Sequence, residues 1–254
     1  MLSVKKQEII RKIEANIERG EIVNGTYSWA KITSGKQTLK IYADRSSVDG
    51  GKGSVILKYD NKKNKHGVEY RGSNKQSNAR YYNLSVLGWG SLSEHQLLAV
   101  ALIPGASEKL CSEVEKYDIN HKTIYLASIV ARREYKKYDV DRTYAINSGD
   151  DELLEALKKE KIFTFQPPCD VSDLELCTSS ENNSHQGFIN KYGLHNISIS
   201  AKDIQSLKNA IKFCSCGCSD DKVNKVVLKI MSIYITYGVD GVKKYIYKKF
   251  KVHI

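Results

Sequence analysis

Asp44 stands at the end of an apolar, β-prone run, Leu39 to Ala43. Glycines follow it at 50, 51 and 53, and then a second run, Ser54 to Tyr59 (SVILKY). Thr38 to Asp60 therefore reads as two antiparallel strands joined by a glycine-rich connection, where the backbone must turn or approach something closely. A carboxylate at a strand end beside such a connection is placed to hold a metal ion near a phosphate. The same carboxylate can simply cap a hairpin, and at this level both readings stand. A second candidate is Cys214-Ser-Cys-Gly-Cys218, dense enough to suggest zinc with His185 or His195 as a fourth ligand. Its C-x-C-x-C spacing departs from the C-x₂₋₄-C of ordinary zinc sites, and no second C-x-x-C pair follows, so free thiols compete with zinc there. The remaining cysteines, Cys111, Cys169 and Cys177, are scattered.

The third chemical signal is charge. The 254-residue chain carries a formal +11, with 40 Lys and Arg against 29 Asp and Glu. Such an excess favours polyanions: nucleic acid first, an acidic membrane surface second. It is uneven. Residues 1–80 hold 17 basic against 8 acidic side chains, and the tail GVKKYIYKKFKVHI holds five lysines and no acid. Lys52, Lys62, Lys63, Lys65, Arg71, Lys75 and Arg80 in the first part, and Lys243, Lys244, Lys248 and Lys249 in the tail, are the expected phosphate contacts for DNA or RNA. Gly72 to Arg80 (GSNKQSNAR) is rich in amide and basic side chains, and Tyr81-Tyr82 beside it offers stacking surface.

The elements that must position these groups follow from periodicity. Ile9, Ile10, Ile13 and Ile17 mark one stripe of a helix over Ser3 to Arg19, with Gly20 at its C-terminal cap. Thr26 to Ile32 and His66 to Arg71 read as further strands, the latter completing a meander with the 38–60 hairpin. Ser91 and Glu94 have capping-box spacing ahead of the helix SEHQLLAVALI, which Pro104-Gly105 interrupts. A second helix is expected over Ala106 to Tyr117. Lys122 to Ala127, Tyr138 to Ile146 and Lys161 to Gln166 read as strands, and Asp150 to Glu160 as a helix with acids first and lysines last. Residues 169–187 read as a loop and a boundary. After it come a short strand near Asn196 to Ser200, a helix over Lys202 to Phe213 and another from Asp221 to about Tyr237.

No apolar run reaches the ~18–20 residues of a membrane span, and the charged N-terminus is not a secretory signal. An intracellular protein is expected. No Walker loop, G-x-G-x-x-G or G-x-S-x-G motif occurs, which argues against nucleotide-binding and serine-hydrolase folds of those types.

The order of elements resembles the ribonuclease H-like family over residues 38–175. The opening motif would be Ile41-Tyr-Ala-Asp44 through Gly53-Ser-Val-Ile, and the helix motif Glu94 to Leu102. Residues 122–128 would be the fourth strand, and residues 150–166 the next helix and last strand. The resemblance implies an α/β fold: a mixed sheet with an antiparallel meander, then alternating helices and strands, and here a helical C-terminal part. It leaves both ends unexplained, and the expected division is a lead-in with an amphipathic helix over residues 1–36, an α/β domain over 37–178 and a basic helical region over 179–254. It also implies a metal-dependent nuclease in which Mg²⁺ or Mn²⁺ ions clamp the attacking water and the leaving oxygen of a phosphodiester. Asp44 would bridge the metals and Glu94 would hold one. The family's carboxylate after the fourth strand falls here on Ser128, so the third acid would come from Asp170 or Asp173, or from Asp139 or Asp141 if the strand assignment shifts. A relative that has lost activity, and only binds nucleic acid or serves a nucleoprotein assembly, is the alternative.

Overall fold

The computed structural model describes residues 2–44, 54–60, 68–69, 83–128, 162–165 and 170–254. Two compact units divide the chain, Met1–Ser179 and Ser180–Ile254. The expected separate lead-in over 1–36 belongs to the first unit.

That unit is organised around a helix with no polar face. Helix α2, Glu94–Leu102, buries His95 and every residue from Leu97 to Leu102. A helix apolar on all sides must be enclosed by other elements, and this one is. It packs against the sheet strands, the helices and a 3-10 turn at Val171–Asp173. The capping box at its start uses Ser93 and Gln96 rather than the expected Ser91 and Glu94, so Glu94 becomes the first helical residue. The helix ends at Ile103, which is extended (φ −94°, ψ 120°) because the ring of Pro104 disfavours a helical residue before it. The next helix, α3, is short, Ala106–Leu110. The rest of the span expected to be helical is turn and bend up to Lys116, and a strand begins at Tyr117.

Around α2 lies an antiparallel meander. Its strands are β1 (Ile17–Arg19), β4 (Trp29–Ser34), β5 (Gln37–Tyr42), β6 (Val55–Asp60) and β7 (Val68–Glu69), in that spatial order; β2 (Ile22–Val23) and β3 (Thr26–Tyr27) form a small hairpin of their own. Alternation sends Ala30, Ile32, Leu39, Ile41 and Ile56 to one buried face. The register pairs them, Ala30 with Ile41, Ile32 with Leu39 and Ile41 with Ile56. The β4–β5 loop has two residues, with Gly35 at φ +56° in the first position, as a tight hairpin turn requires. The expected antiparallel pairing within 38–60 is present as β5 with β6.

Helix α1, Val4–Glu14, buries Ile9, Ile10 and Ile13 against this core and stops five residues earlier than expected. Ile17 to Arg19 is strand β1 instead, and Gly20 is no helix cap. Its amide donates to the Trp29 carbonyl at 2.9 Å, and a Cβ there would lie 2.5 Å from Trp29 Nε1. The glycine serves close approach of an indole. Six further strands complete the unit's described ladders: β8 (Asn83–Ser85) pairs with β9 (Ser91–Ser93), and β11 (Tyr125–Ser128) with β12 (Ile162–Phe165). Strand β10 (Tyr117–His121) pairs with β13 (Leu174–Thr178).

The molecule is therefore mixed α/β with antiparallel sheets and helices. Every described ladder is antiparallel. Strand β11 pairs with β12 in a separate two-stranded sheet, not beside the meander. The expected helix over 150–160 and strand over 138–146 lie outside the described residues.

The second unit is helical: most of α4 (Ser179–Tyr192), then α5 (Ala201–Ser215) and α6 (Asp220–Phe250). The span 169–187, expected as a loop, is instead the 3-10 turn, β13 and α4. Its Ser, Asn and Gln residues cover the exposed side of a helix anchored by buried His185, Phe188 and Ile189. The expected strand near Asn196 to Ser200 is irregular. Ser200 caps α5, its hydroxyl accepting from Asp203 N at 3.0 Å. Helix α6 buries Val227, Ile230, Met231 and Tyr234, and later Val242 and Ile246. Between the two stripes Gly238 sits at φ 66°, ψ −167°, a region open only to glycine. The glycine breaks the helix and re-aims its basic end.

Candidate functional site

One hydroxyl links the backbone segments that carry two of the expected acids. Ser54, buried at the start of β6, donates to the Ala43 carbonyl at 3.1 Å and accepts from the Val171 amide at 2.8 Å. Asp44 and Asp170 are the neighbours of those two backbone groups, so Ser54 draws their segments together across more than a hundred residues of chain. Helix α2, with Glu94 in its first turn, packs against both β5 and the 3-10 turn.

The side chains themselves do other work. Asp44 is exposed and Glu94 half-buried. Asp170 caps the 3-10 turn, its Oδ1 accepting from Ser172 N at 2.9 Å. Among the described residues no three His, Cys, Asp or Glu side chains gather closely enough to hold a metal ion. Among the described residues the expected Mg²⁺ or Mn²⁺ cage of Asp44, Glu94 and Asp170 is not gathered, and Asp170 Oδ1 is engaged with the local backbone.

A cluster of largely buried polar side chains lies beside α2. Asp173 Oδ1 accepts from Thr123 Oγ1 at 2.6 Å, and its Oδ2 lies 3.7 Å from His121 Nδ1. The His121 ring meets the His95 ring edge-on, with centroids 5.7 Å apart, and His95 Nε2 lies 3.3 Å from Ser93 Oγ. His121 Nε2 is buried without a hydrogen-bond partner among the described residues. Burial, and then the neighbouring His121 and Lys6, push the His95 pKa down to about 3, so this imidazole is neutral at physiological pH. One signal was available: His95 is the lone imidazole at the head of an otherwise apolar helix. Of its partners, 26 and 78 positions later, His121 carried none, and Asp173 stood out only as a possible third acid.

Among the described residues the cysteine cluster gathers no metal-holding group either. Cys214 is buried in α5, while Cys216 and Cys218 are exposed beyond its end. Burial raises the Cys214 pKa, which keeps it a thiol. His185 Nε2 bonds the Ile199 carbonyl at 2.8 Å, and His195 Nε2 bonds Asn190 Oδ1 at 2.9 Å. Neither imidazole turns toward a metal.

Of the expected phosphate contacts, Lys52, Lys62, Lys63, Lys65, Arg71, Lys75 and Arg80 lie outside the described residues, as do Cys169, Asp139 and Asp141. Lys243, Lys244, Lys248 and Lys249 are exposed on the last turns of α6. Val242 and Ile246 pin that segment from the other side. Tyr247, 47% exposed, stands among the lysines, and Lys251 Nζ reaches over its ring at 5.9 Å. Cations and an exposed ring alternate here without an acid from Gly241 to the end.

No protein-family model, curated protein or solved structure matches the chain. Among the described residues no helix is long and apolar enough to cross a membrane.

Proposed function

We propose that the protein binds nucleic acid through the basic end of α6. The supporting observation is the exposed row Lys243, Lys244, Lys248 and Lys249 with Tyr247 in its midst and no carboxylate in the segment. Lysines neutralise phosphates and release their counterions, and an exposed ring accepts a base by stacking whatever the sequence. Single strands, whose bases are free to stack, fit this surface better than a closed duplex. Titrating a labelled single-stranded oligonucleotide at several salt concentrations tests the reading. Binding should weaken steeply with salt, and replacing the four lysines by glutamine should flatten the log–log slope by about 3 on the single-strand relation. A slope unchanged by the fourfold replacement would sink it.

Phosphodiester cleavage by a ribonuclease H-like fold is the second reading. What favours it is Ser54, which gathers the Asp44 and Asp170 segments beside the head of α2. The antiparallel meander followed by α2 agrees with it, and the separate β11–β12 ladder departs from it. Incubation of single-stranded, duplex and hybrid substrates with Mg²⁺ or Mn²⁺ separates the two. Cleavage that Asp44→Asn abolishes supports an active nuclease; salt-sensitive binding with no cleavage leaves a binding protein.

A further inference from the structure

A cleft of 440 Å³ opens between α4 and α5, lined in part by Lys191, Lys208, Lys212, Phe188, Tyr192 and Gly187. Its size falls in the range of small-molecule sites, about 300–1,000 Å³. Three features of the lining point the same way.

The first is unbalanced charge. Three lysines face the cleft and no acid lines it. Lys208 is half-buried. Its ammonium donates to Ser184 Oγ and lies 5.9 Å from the centre of the Phe188 ring. Among the described residues no carboxylate forms an ion pair with Lys191, Lys208 or Lys212. A partly desolvated ammonium beside two exposed ones gains most from a multivalent anion, and a phosphate monoester supplies it, at about −1.5 to −2 near neutral pH.

The second is an aromatic wall. The Phe188 and Tyr192 rings lie 4.7 Å apart, one helical turn from each other. Tyr192 is half-buried in the lining. Aromatic faces of this kind accept a planar heterocycle.

The third is Gly187. It sits inside α4, where glycine destabilises a helix relative to alanine. A Cβ there would meet nothing within 4 Å. Packing does not require the glycine, and its place in the lining leaves that side of the cleft open to a bulky substituent.

We infer that this cleft binds a nucleotide, with the phosphate on Lys208, Lys212 and Lys191 and the base against Tyr192 and Phe188. The Ser184 and Ser215 hydroxyls, also in the lining, are placed for polar groups of the sugar or base. The nucleotide can come from solution as a free monophosphate or from a single strand; the ligand chemistry is the same. The site stands on its own lining and not on the basic end of α6.

Calorimetric titration of the full chain with adenosine monophosphate tests it, with inorganic phosphate and adenosine as partial ligands. Binding of the monophosphate should be tighter than that of either part. Lys208→Gln should weaken it about tenfold, the size of one charge-assisted hydrogen bond, and Lys208→Arg should retain most of it. Gly187→Trp fills the cleft without touching a lysine and should abolish binding while the far-ultraviolet dichroism stays native; Gly187→Ala should leave binding intact. Replacing Lys243, Lys244, Lys248 and Lys249 by glutamine should not change it, which separates this site from the strand-binding surface. An oligonucleotide that displaces the monophosphate identifies a strand as the source, and one that does not identifies the free nucleotide. Inorganic phosphate binding as tightly as the monophosphate, or monophosphate binding unaffected by Gly187→Trp, overturns the inference, as does no binding of monophosphate or oligonucleotide at millimolar concentration.

Discussion

Acidification should unfold the first unit through one imidazole. His95 is 8% exposed at the head of α2. Enclosure, the His121 ring and Lys6 from α1 hold its pKa at about 3 against 6.5 in the unfolded chain. Asp173, which lies beyond His121 at 3.7 Å, is the nearby carboxylate on the neighbouring 3-10 turn. Between those two pKa values the unfolded state binds a proton that the folded state refuses, so stability falls as pH falls. The contribution is complete above about pH 6.5, declines through the window down to about 3, and loses nothing further below it. For one group with these two pKa values, lowering the pH from about 7 to about 5 costs about 2 kcal/mol.

His95→Gln keeps a polar side chain near Ser93 but cannot titrate. Urea unfolding followed by tryptophan fluorescence isolates the right unit, because both tryptophans, Trp29 and Trp89, lie within it. The wild type should lose about 2 kcal/mol more than His95→Gln between about pH 7 and about pH 5. Equal losses in the two proteins would show that His95 is already protonated in the fold, or is reached by water, and would refute the argument.

Three further outcomes follow from the packing. Arg19 pairs bidentately with Glu14 at 2.8 and 2.7 Å and donates to the Val100 and Ala101 carbonyls in the last turn of α2. Arg19→Ala should lower urea stability by about 2 kcal/mol, and Arg19→Lys should recover less than half, since one ammonium cannot span both partners. Leu98→Ala empties part of the fully enclosed face of α2 and should cost about 3 kcal/mol in the same assay. Gly238→Ala puts a Cβ where φ is 66° and ψ −167°. It should cost about 2 kcal/mol, read as a lower melting temperature of the helical signal.

Local pattern was enough for most elements. Alternating apolar residues and three glycines specified the 38–60 hairpin, because a period of two leaves one register that buries Leu39 and Ile41 together. The apolar run from Leu97 to Leu102 marked a buried helix, and the isoleucine stripe marked α1. Three misreadings share a cause, in that tertiary partners overrode local cues. Gly20 resembled a helix cap until Trp29 needed the space. Ser91 resembled the helix cap until Ser93 took the role. The polar stretch before Gly187 resembled a loop, yet three buried side chains at helical spacing anchor it.

The chain by itself determined its charge, its lysine-rich tail and the strand that carries Asp44, all properties of neighbours along the sequence. Only the tertiary structure decided what those groups can do. It set the Asp170 carboxylate against the Ser172 amide, and among the described residues it gathers no metal cage with Asp44 and Glu94. It brought His95, His121 and Asp173 into one buried group, and it faced three lysines and two rings across a single cleft. Electrostatic and hydrogen-bond energies act over a few ångströms of space, so residues tens of positions apart acquire joint chemistry only once packing has fixed their distance.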